Sequence, residues 1–352
     1  ISSENSFNAK KNLQKLYSQL FARLIKLIPE DVNTLIFSPD SSLNFVPFGC
    51  LIDTDGKFLS ETYGVKYVST GRDLLDLNIA ESKSEGDMVI FANPDFKNEK
   101  TGIEIIGSKQ ELAILHSGLR ELSFNPLPGT MLEASALSSI ANENKMKVKV
   151  YHGRDAKEES LMKIHSPKIL HLATHGFFLP VNSQEQKTPF SHRANRKINS
   201  MNRGGLLLSG AQKNFELYSK GKNISKSSDG ILTAEEVKGL DLSGTWLTSL
   251  SACDTASGTV LDGEGVLGLR RSFVQAGTQN LLLTLWSVDD SFTKDFMVSF
   301  YKEALKTGNA PKAMAKVQKE WLIKLREERS VSQAVKLAGP FVLTFRGNPE
   351  LN

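Results

Sequence analysis

Apolar positions divide the chain into two regimes. Between residues 10 and 28, Leu13, Leu16, Tyr17, Leu20, Phe21, Leu24 and Leu27 recur at three- and four-residue steps. That spacing predicts one apolar helix face, closed by Pro29. Short apolar runs follow at Thr34–Phe37, Leu43–Phe48 and Gly64–Ser69, separated by the turn residues Ser38-Pro39-Asp40 and Asp55-Gly56. They predict the strands of a small β-rich subdomain.

From residue 86 onward the period alternates. Strands are predicted at Met88–Ala92, Val148–Tyr151, Ile169–Ala173, Trp246–Ser251, Leu281–Leu285 and Phe341–Phe345. Helices are predicted at Glu133–Ile140, Glu158–Ile164, Val266–Gln275, Phe292–Leu305 and Ala313–Leu325. Alternation of this kind implies an α/β fold with a mostly parallel sheet and helices on both faces. Residues 181–230 break the rhythm, being rich in Ser, Asn, Lys, Gly and Gln with only Leu206–Leu208 strand-like. They read as an inserted flexible loop, either a tolerated surface insertion or a regulatory element. The predicted organisation is therefore a helix over 1–29, a small N-terminal part over 30–85 and a larger part over 86–352. The first helix either packs on its own domain or connects to an upstream module. The opening residue is Ile rather than Met, as in a chain cut from a longer one.

Charge narrows the function classes. The 352 residues carry 43 basic and 39 acidic side chains, a net of +4, with no long basic run to bind nucleic acid. No apolar stretch approaches the roughly 18 residues of a membrane span, and the polar opening does not resemble a signal peptide. Two cysteines, Cys50 and Cys253, make a disulfide framework improbable and point to a reducing, cytoplasmic setting. With six scattered histidines and no pair at zinc-ligand spacing, neither a metal nor another cofactor is expected.

In open parallel sheets, function collects where strand carboxyl ends meet. Two strand ends carry chemistry. Lys168-Ile-Leu-His171-Leu-Ala-Thr-His175-Gly176 is an apolar strand ending in His-Gly, and Gly244-Thr-Trp-Leu-Thr-Ser-Leu-Ser251-Ala-Cys253 ends in a cysteine. If the two strands are parallel neighbours, His175 and Cys253 face each other. An ordinary thiol, with a pKa of about 8.5, is only a few per cent thiolate at neutral pH. A neighbouring imidazole can take its proton and later return one to a leaving group. Gly176 has no Cβ, so a substrate carbonyl could approach its N–H, which with that of Cys253 would form an oxyanion hole. His171 lies on the same strand face about 13 Å further back and reads as a core residue. Cys50, within the apolar run Phe45–Leu51, reads as an inert buried thiol.

The motifs His171-Leu-Ala-Thr-His175-Gly176, Leu250-Ser-Ala-Cys253-Asp-Thr, Gly263-Glu-Gly-Val-Leu-Gly-Leu-Arg-Arg-Ser-Phe-Val-Gln-Ala-Gly277 and Leu285-Trp-Ser-Val-Asp-Asp290 together resemble the CHAT domain. So do Phe37-Ser-Pro-Asp40, Val46-Pro-Phe48, Tyr63-Gly-Val-Lys-Tyr67, Ala92-Asn-Pro-Asp95 and Leu127-Pro-Gly-Thr130. The resemblance spans about residues 32–345 and implies a caspase-like fold in one clan with separase, clostripain and caspases. It implies His175 as general base and acid and Cys253 as nucleophile in a cysteine endopeptidase acting on a protein substrate. It further implies regulation, a bacterial defence or signalling pathway, and an upstream tetratricopeptide-repeat or regulatory module. The 78-residue interval from His175 to Cys253 is long for a compact member, and its excess lies in 181–230. The caspase pentapeptide is absent, so cleavage after Asp is not implied.

Two other readings use the same residues: a catalytically silent scaffold for protein assembly, and a Cys-His acyl transferase. At the substrate pocket, Trp286, Asp289 and Asp290 follow the predicted strand Leu281–Leu285. The resemblance to separase and clostripain implies a basic P1 residue held by an acidic side chain such as Asp289 or Asp290. Against that, aspartates just before a helix commonly cap it. Trp286 would then line a pocket for an apolar P1.

Overall fold

Ile169–Ala173, Asn280–Thr284 and Phe341–Phe345 are strands with every side chain buried, as continuous apolar runs in a sheet covered on both faces should be. The structure, a computed structural model, describes residues 3–75, 87–98, 124–178, 204–219, 229–251 and 263–347. Its fold is mixed α/β with mostly parallel strands. The chain forms two compact units, each assembled from segments distant in sequence.

One unit comprises residues 1–81, 135–146 and 279–352. Strands β1 (Thr34–Phe37) and β2 (Gly64–Tyr67) pair in parallel, β2 pairs in parallel with β11 (Phe341–Phe345), and β11 pairs antiparallel with β10 (Asn280–Thr284). Around them lie α1 (Ser3–Leu20), α2 (Leu59–Thr62), α8 (Asp290–Thr307), α9 (Ala310–Glu328) and α10 (Val331–Ala338). The α1 helix is shorter at its end than its apolar spacing suggested. Tyr17 and Phe21 are buried, whereas Leu24 and Leu27 are exposed where the chain tightens into a 3-10 turn at Ile25–Leu27. Leu43–Phe48 is no strand either. Asp40 caps a 3-10 turn over Ser41–Phe45, and Pro47 lacks the N–H that a ladder needs. Rings of Phe37 and Phe48 stack at 4.3 Å, and those of Phe296 and Phe341 at 3.8 Å. Arg326 grips Glu61 through both guanidinium arms, at 2.5 and 3.0 Å.

The other unit comprises residues 82–134 and 147–278. Its sheet is wholly parallel, in the order β9-β5-β3-β4, with β3 Met88–Pro94, β4 Val148–Gly153, β5 Ile169–Ala173 and β9 Leu247–Ser251. A separate antiparallel sheet is built from β6 (Gly176–Phe178), β7 (Gly204–Leu207) and β8 (Ile231–Thr233). Helices α4 (Glu158–Leu161), α5 (Ala211–Ser219), α6 (Ala234–Val237) and α7 (Gly263–Ala276) belong here, with α3 (Pro128–Glu143) as far as Ala134. Within the segment read as a loop, 204–219 thus holds a strand and a helix, and the remainder of 181–228 lies outside the described residues. The strand-like run Leu206–Leu208 overlaps β7, whose start, Gly204-Gly205, carries no apolar pattern.

Gly205 shows why that start is glycine. It pairs with Phe177 on one side and Thr233 on the other. A Cβ there would fall on the carbonyl oxygen of Leu232 and lie 2.8–2.9 Å from the Phe177 ring. Gly205→Ala is therefore expected to destabilise the protein by about 1–3 kcal/mol, the usual range for overpacking. A lower denaturant midpoint at unchanged slope would show it, and an unchanged midpoint would disprove the close packing.

Candidate active site

Strand β5 ends at Ala173, and the chain continues through Thr174 and His175 directly into β6 at Gly176. Backbone bonds to the small sheet hold this crossing in place. The Leu207 N–H donates to the His175 carbonyl at 2.8 Å, and the Thr174 hydroxyl donates to the Leu207 carbonyl. Below the crossing lies an apolar cluster of Phe96, Phe177, Leu207, Ala211 and Ile231, with Phe124 and Leu127 packed against it. The His175 ring is 2% exposed and sits 5.2 Å, centroid to centroid, from Phe96. Its backbone and one flank are thus immobilised.

Its ring orientation comes from a different segment. Nε2 of His175 lies 2.8 Å from the carbonyl oxygen of Asn125. A carbonyl can only accept, so Nε2 carries the hydrogen, and in the neutral ring Nδ1 is the basic nitrogen. The Asn125 segment is itself clamped to the end of β3. Asn93 bends into the left-handed region at φ 44°, a conformation Asn tolerates well. Its side-chain oxygen accepts from the Leu127 N–H at 3.0 Å, and its N–H donates to the Thr130 hydroxyl at 2.9 Å. Thr130 closes the turn by donating to the Leu127 carbonyl at 2.7 Å. The start of α3 is therefore tied to β3 at two points, just after the carbonyl that holds the imidazole.

Strand β9 is the neighbour of β5. Strands β5 and β9 are parallel and in continuous register, Ile169 with Leu247 through Ala173 with Ser251. Each residue of β5 thus faces the one 78 positions later, and 78 positions is also the sequence interval from His175 to Cys253. Cys253 itself lies outside the described residues. Ser251, the last residue of β9, donates its hydroxyl to Oε2 of Glu133 at 3.1 Å. The other oxygen of that carboxyl group, Oε1, is 3.2 Å from Nε2 of His171, with both side chains almost wholly buried. His171 is inside the fold, in keeping with its place along the strand.

Neither Glu133 nor Asn125 was marked by sequence reasoning. A signal existed for Glu133. Thr130, Glu133, Ala134, Leu137, Ile140 and Ala141 trace one buried helical stripe, and Glu133 is its carboxyl-bearing member. No signal existed for Asn125, which acts through its backbone.

The remaining expected site residues have local roles in the first unit. Asp289 is the N-cap of α8, its carboxylate accepting from the Ser291 and Phe292 N–H groups at 3.0 and 3.2 Å. Asp290 is the first residue of that helix, and the Trp286 indole N–H donates to the Lys336 carbonyl at 2.9 Å. Cys50 is fully buried, and burial pushes its thiol well above the ordinary thiol range. Among the described residues, no group of three or more His, Cys, Asp or Glu is placed to hold a metal ion, and no helix is long and apolar enough to cross a membrane.

The family model for the CHAT domain matches residues 10–335. No curated protein matches the chain. Among solved structures, the Saccharomyces cerevisiae separase–securin complex is similar at 13% identity and a TM-score of 0.45, with 89% of this chain covered. The Arg-specific cysteine proteinase gingipain R is similar at 8% identity and a TM-score of 0.46, with 98% covered. A complex of Porphyromonas gingivalis gingipain pro- and mature domains gives 7% identity and 0.47, with 96% covered. This chain spans only 15% of the separase-complex chain it matches and 68% of the gingipain chains.

Proposed function

The chain belongs to the CHAT domain family, and from that premise we propose that it is a cysteine endopeptidase working through His175 and Cys253. One observation carries the proposal: β5 and β9 are parallel neighbours whose register offset equals the interval between these two residues. Each lies two positions beyond the last registered pair, Ala173 with Ser251.

In this reading Nδ1 of His175 takes the Cys253 proton while the Asn125 carbonyl holds Nε2–H and steadies the imidazolium that forms. The thiolate attacks the substrate carbonyl carbon, and the resulting oxyanion is received by the N–H groups of Gly176 and Cys253. The tetrahedral species collapses when His175 returns its proton to the leaving amine, which frees the first product and leaves a thioester. Water, deprotonated by the same imidazole, hydrolyses that thioester and regenerates the thiol. Membership in the family supports a protein as the substrate and a regulated role in bacterial defence or signalling. The near-balanced charge and the two widely spaced cysteines are compatible with a reducing compartment.

Labelling with a peptide-like covalent inhibitor, read by intact mass and peptide mapping, tests the reading. A single adduct on Cys253 that is lost in His175→Ala is expected. No adduct in a folded protein would favour the silent scaffold. An adduct formed without any cleavage of protein, but with transfer of an acyl group to an added amine, would favour the acyl transferase.

A further inference from the structure

A buried carboxyl group is a costly way to fill a helix face. The positions around Glu133 on the inner stripe of α3 are Thr130, Ala134, Leu137 and Ile140, all buried, and a leucine at 133 would continue that stripe. Polar side chains buried together are often no more stabilising than apolar residues of similar volume, because desolvation offsets their attraction. Stability therefore does not account for Glu133 and His171 lying together in the core.

Position does. Among the described residues, the Glu133 carboxyl group lies 3.2 Å from His171 on β5 and accepts from Ser251 at the tip of β9 at 3.1 Å, both on strands of the proposed site. Consecutive Cα atoms are about 3.8 Å apart, so the Cα of Cys253 can be no further than about 7.6 Å from that of Ser251. Whatever holds Ser251 thus sets the point from which the chain sets out toward the nucleophile. The helix bearing Glu133 begins just after Asn125, whose carbonyl orients His175. One short stretch, residues 125–133, accordingly touches the His175 imidazole through a backbone oxygen and Ser251, the last residue of β9, through a side chain.

We propose that Glu133 is a positioning residue, which aligns the Cys253 segment with His175 by holding Ser251 from a helix start already locked to the imidazole. The role rests on the reading of His175 and Cys253 as a dyad. The other Glu133 carboxyl oxygen lies 3.2 Å from His171 Nε2.

The test needs no substrate. The alkylation rate of Cys253 by iodoacetamide is measured against pH, with peptide mapping to separate it from the buried Cys50. Wild type is expected to react well near pH 6, and His175→Ala to follow an ordinary thiol with a midpoint of about 8.5. Ser251→Ala and Glu133→Leu are expected to lose at least about tenfold in rate at pH 6 and to move toward the His175→Ala profile, with melting temperature kept. Glu133→Gln, whose amide oxygen can still accept from Ser251, should retain most of the wild-type rate. Melting temperature alone would report a merely structural role, whereas the pH profile reports alignment. If Glu133→Leu does not fold, Ser251→Ala decides, since it removes one hydroxyl at the edge of the core. Wild-type profiles in folded Ser251→Ala and Glu133→Leu overturn the proposal and leave the dyad standing. A wild type indistinguishable from His175→Ala overturns the dyad, and the positioning role with it.

Discussion

Cys253→Ala is expected to abolish cleavage of any protein that the wild type cuts, a loss of several orders of magnitude in turnover, with His175→Ala nearly as severe. The two losses should not add. Each residue alone is insufficient, because the thiol needs a proton acceptor and the imidazole needs a nucleophile to serve. The double variant should therefore be about as inactive as Cys253→Ala. Cys50→Ser is the control. That thiol is fully buried and held protonated by its surroundings, so activity should be unchanged. The measurement is single-turnover cleavage of a validated substrate under matched folding, checked by circular dichroism. Cleavage by Cys253→Ala at the wild-type rate would end the cysteine-peptidase reading.

Glu158→Gln is expected to raise stability in neutral and alkaline solution. Glu158 opens α4 with its side chain fully buried. Burial, joined by the negative neighbours Asp229, Glu236 and Glu159, pushes its carboxyl group up to about 10, while one N–H donor, that of Gly230 at 3.2 Å, only partly opposes them. Its ordinary value is 4.5, so between the two values the folded protein holds a proton that the unfolded chain has released. The associated stability is fully present below 4.5 and is lost progressively as pH rises toward about 10. Glutamine mimics the protonated form, keeps an acceptor for Gly230 and cannot ionise. Its melting temperature should exceed that of the wild type by a few °C at pH 8–9, with the gap closing toward acid pH. Parallel melting curves for the two proteins across that range would show that Glu158 does not titrate in the folded state.

The strand and helix order from Met88 onward was legible in the chain because apolar runs and periods are local. A five-residue run such as Ile169–Ala173 must be buried on both faces wherever it goes, and that requires neither partner nor register. The chemical ends of β5 and β9 were legible for the same reason: each apolar run stops where His175-Gly176 or the Ser251-Ala-Cys253 stretch begins. Local patterns misled where a side chain or an imino acid overrode hydropathy, as at Asp40 and Pro47.

Tertiary structure alone decided which strands are neighbours. The register of Ala173 with Ser251 joins residues 78 positions apart, and the contact of Glu133 with Ser251 joins residues 118 apart. Such pairings depend on the packing of whole elements, whose free energy is summed over many distant side chains and leaves no mark on the few residues between. The Asn125 carbonyl that orients His175 is the extreme case. Every residue carries the same carbonyl group, so only its location in three dimensions distinguishes it.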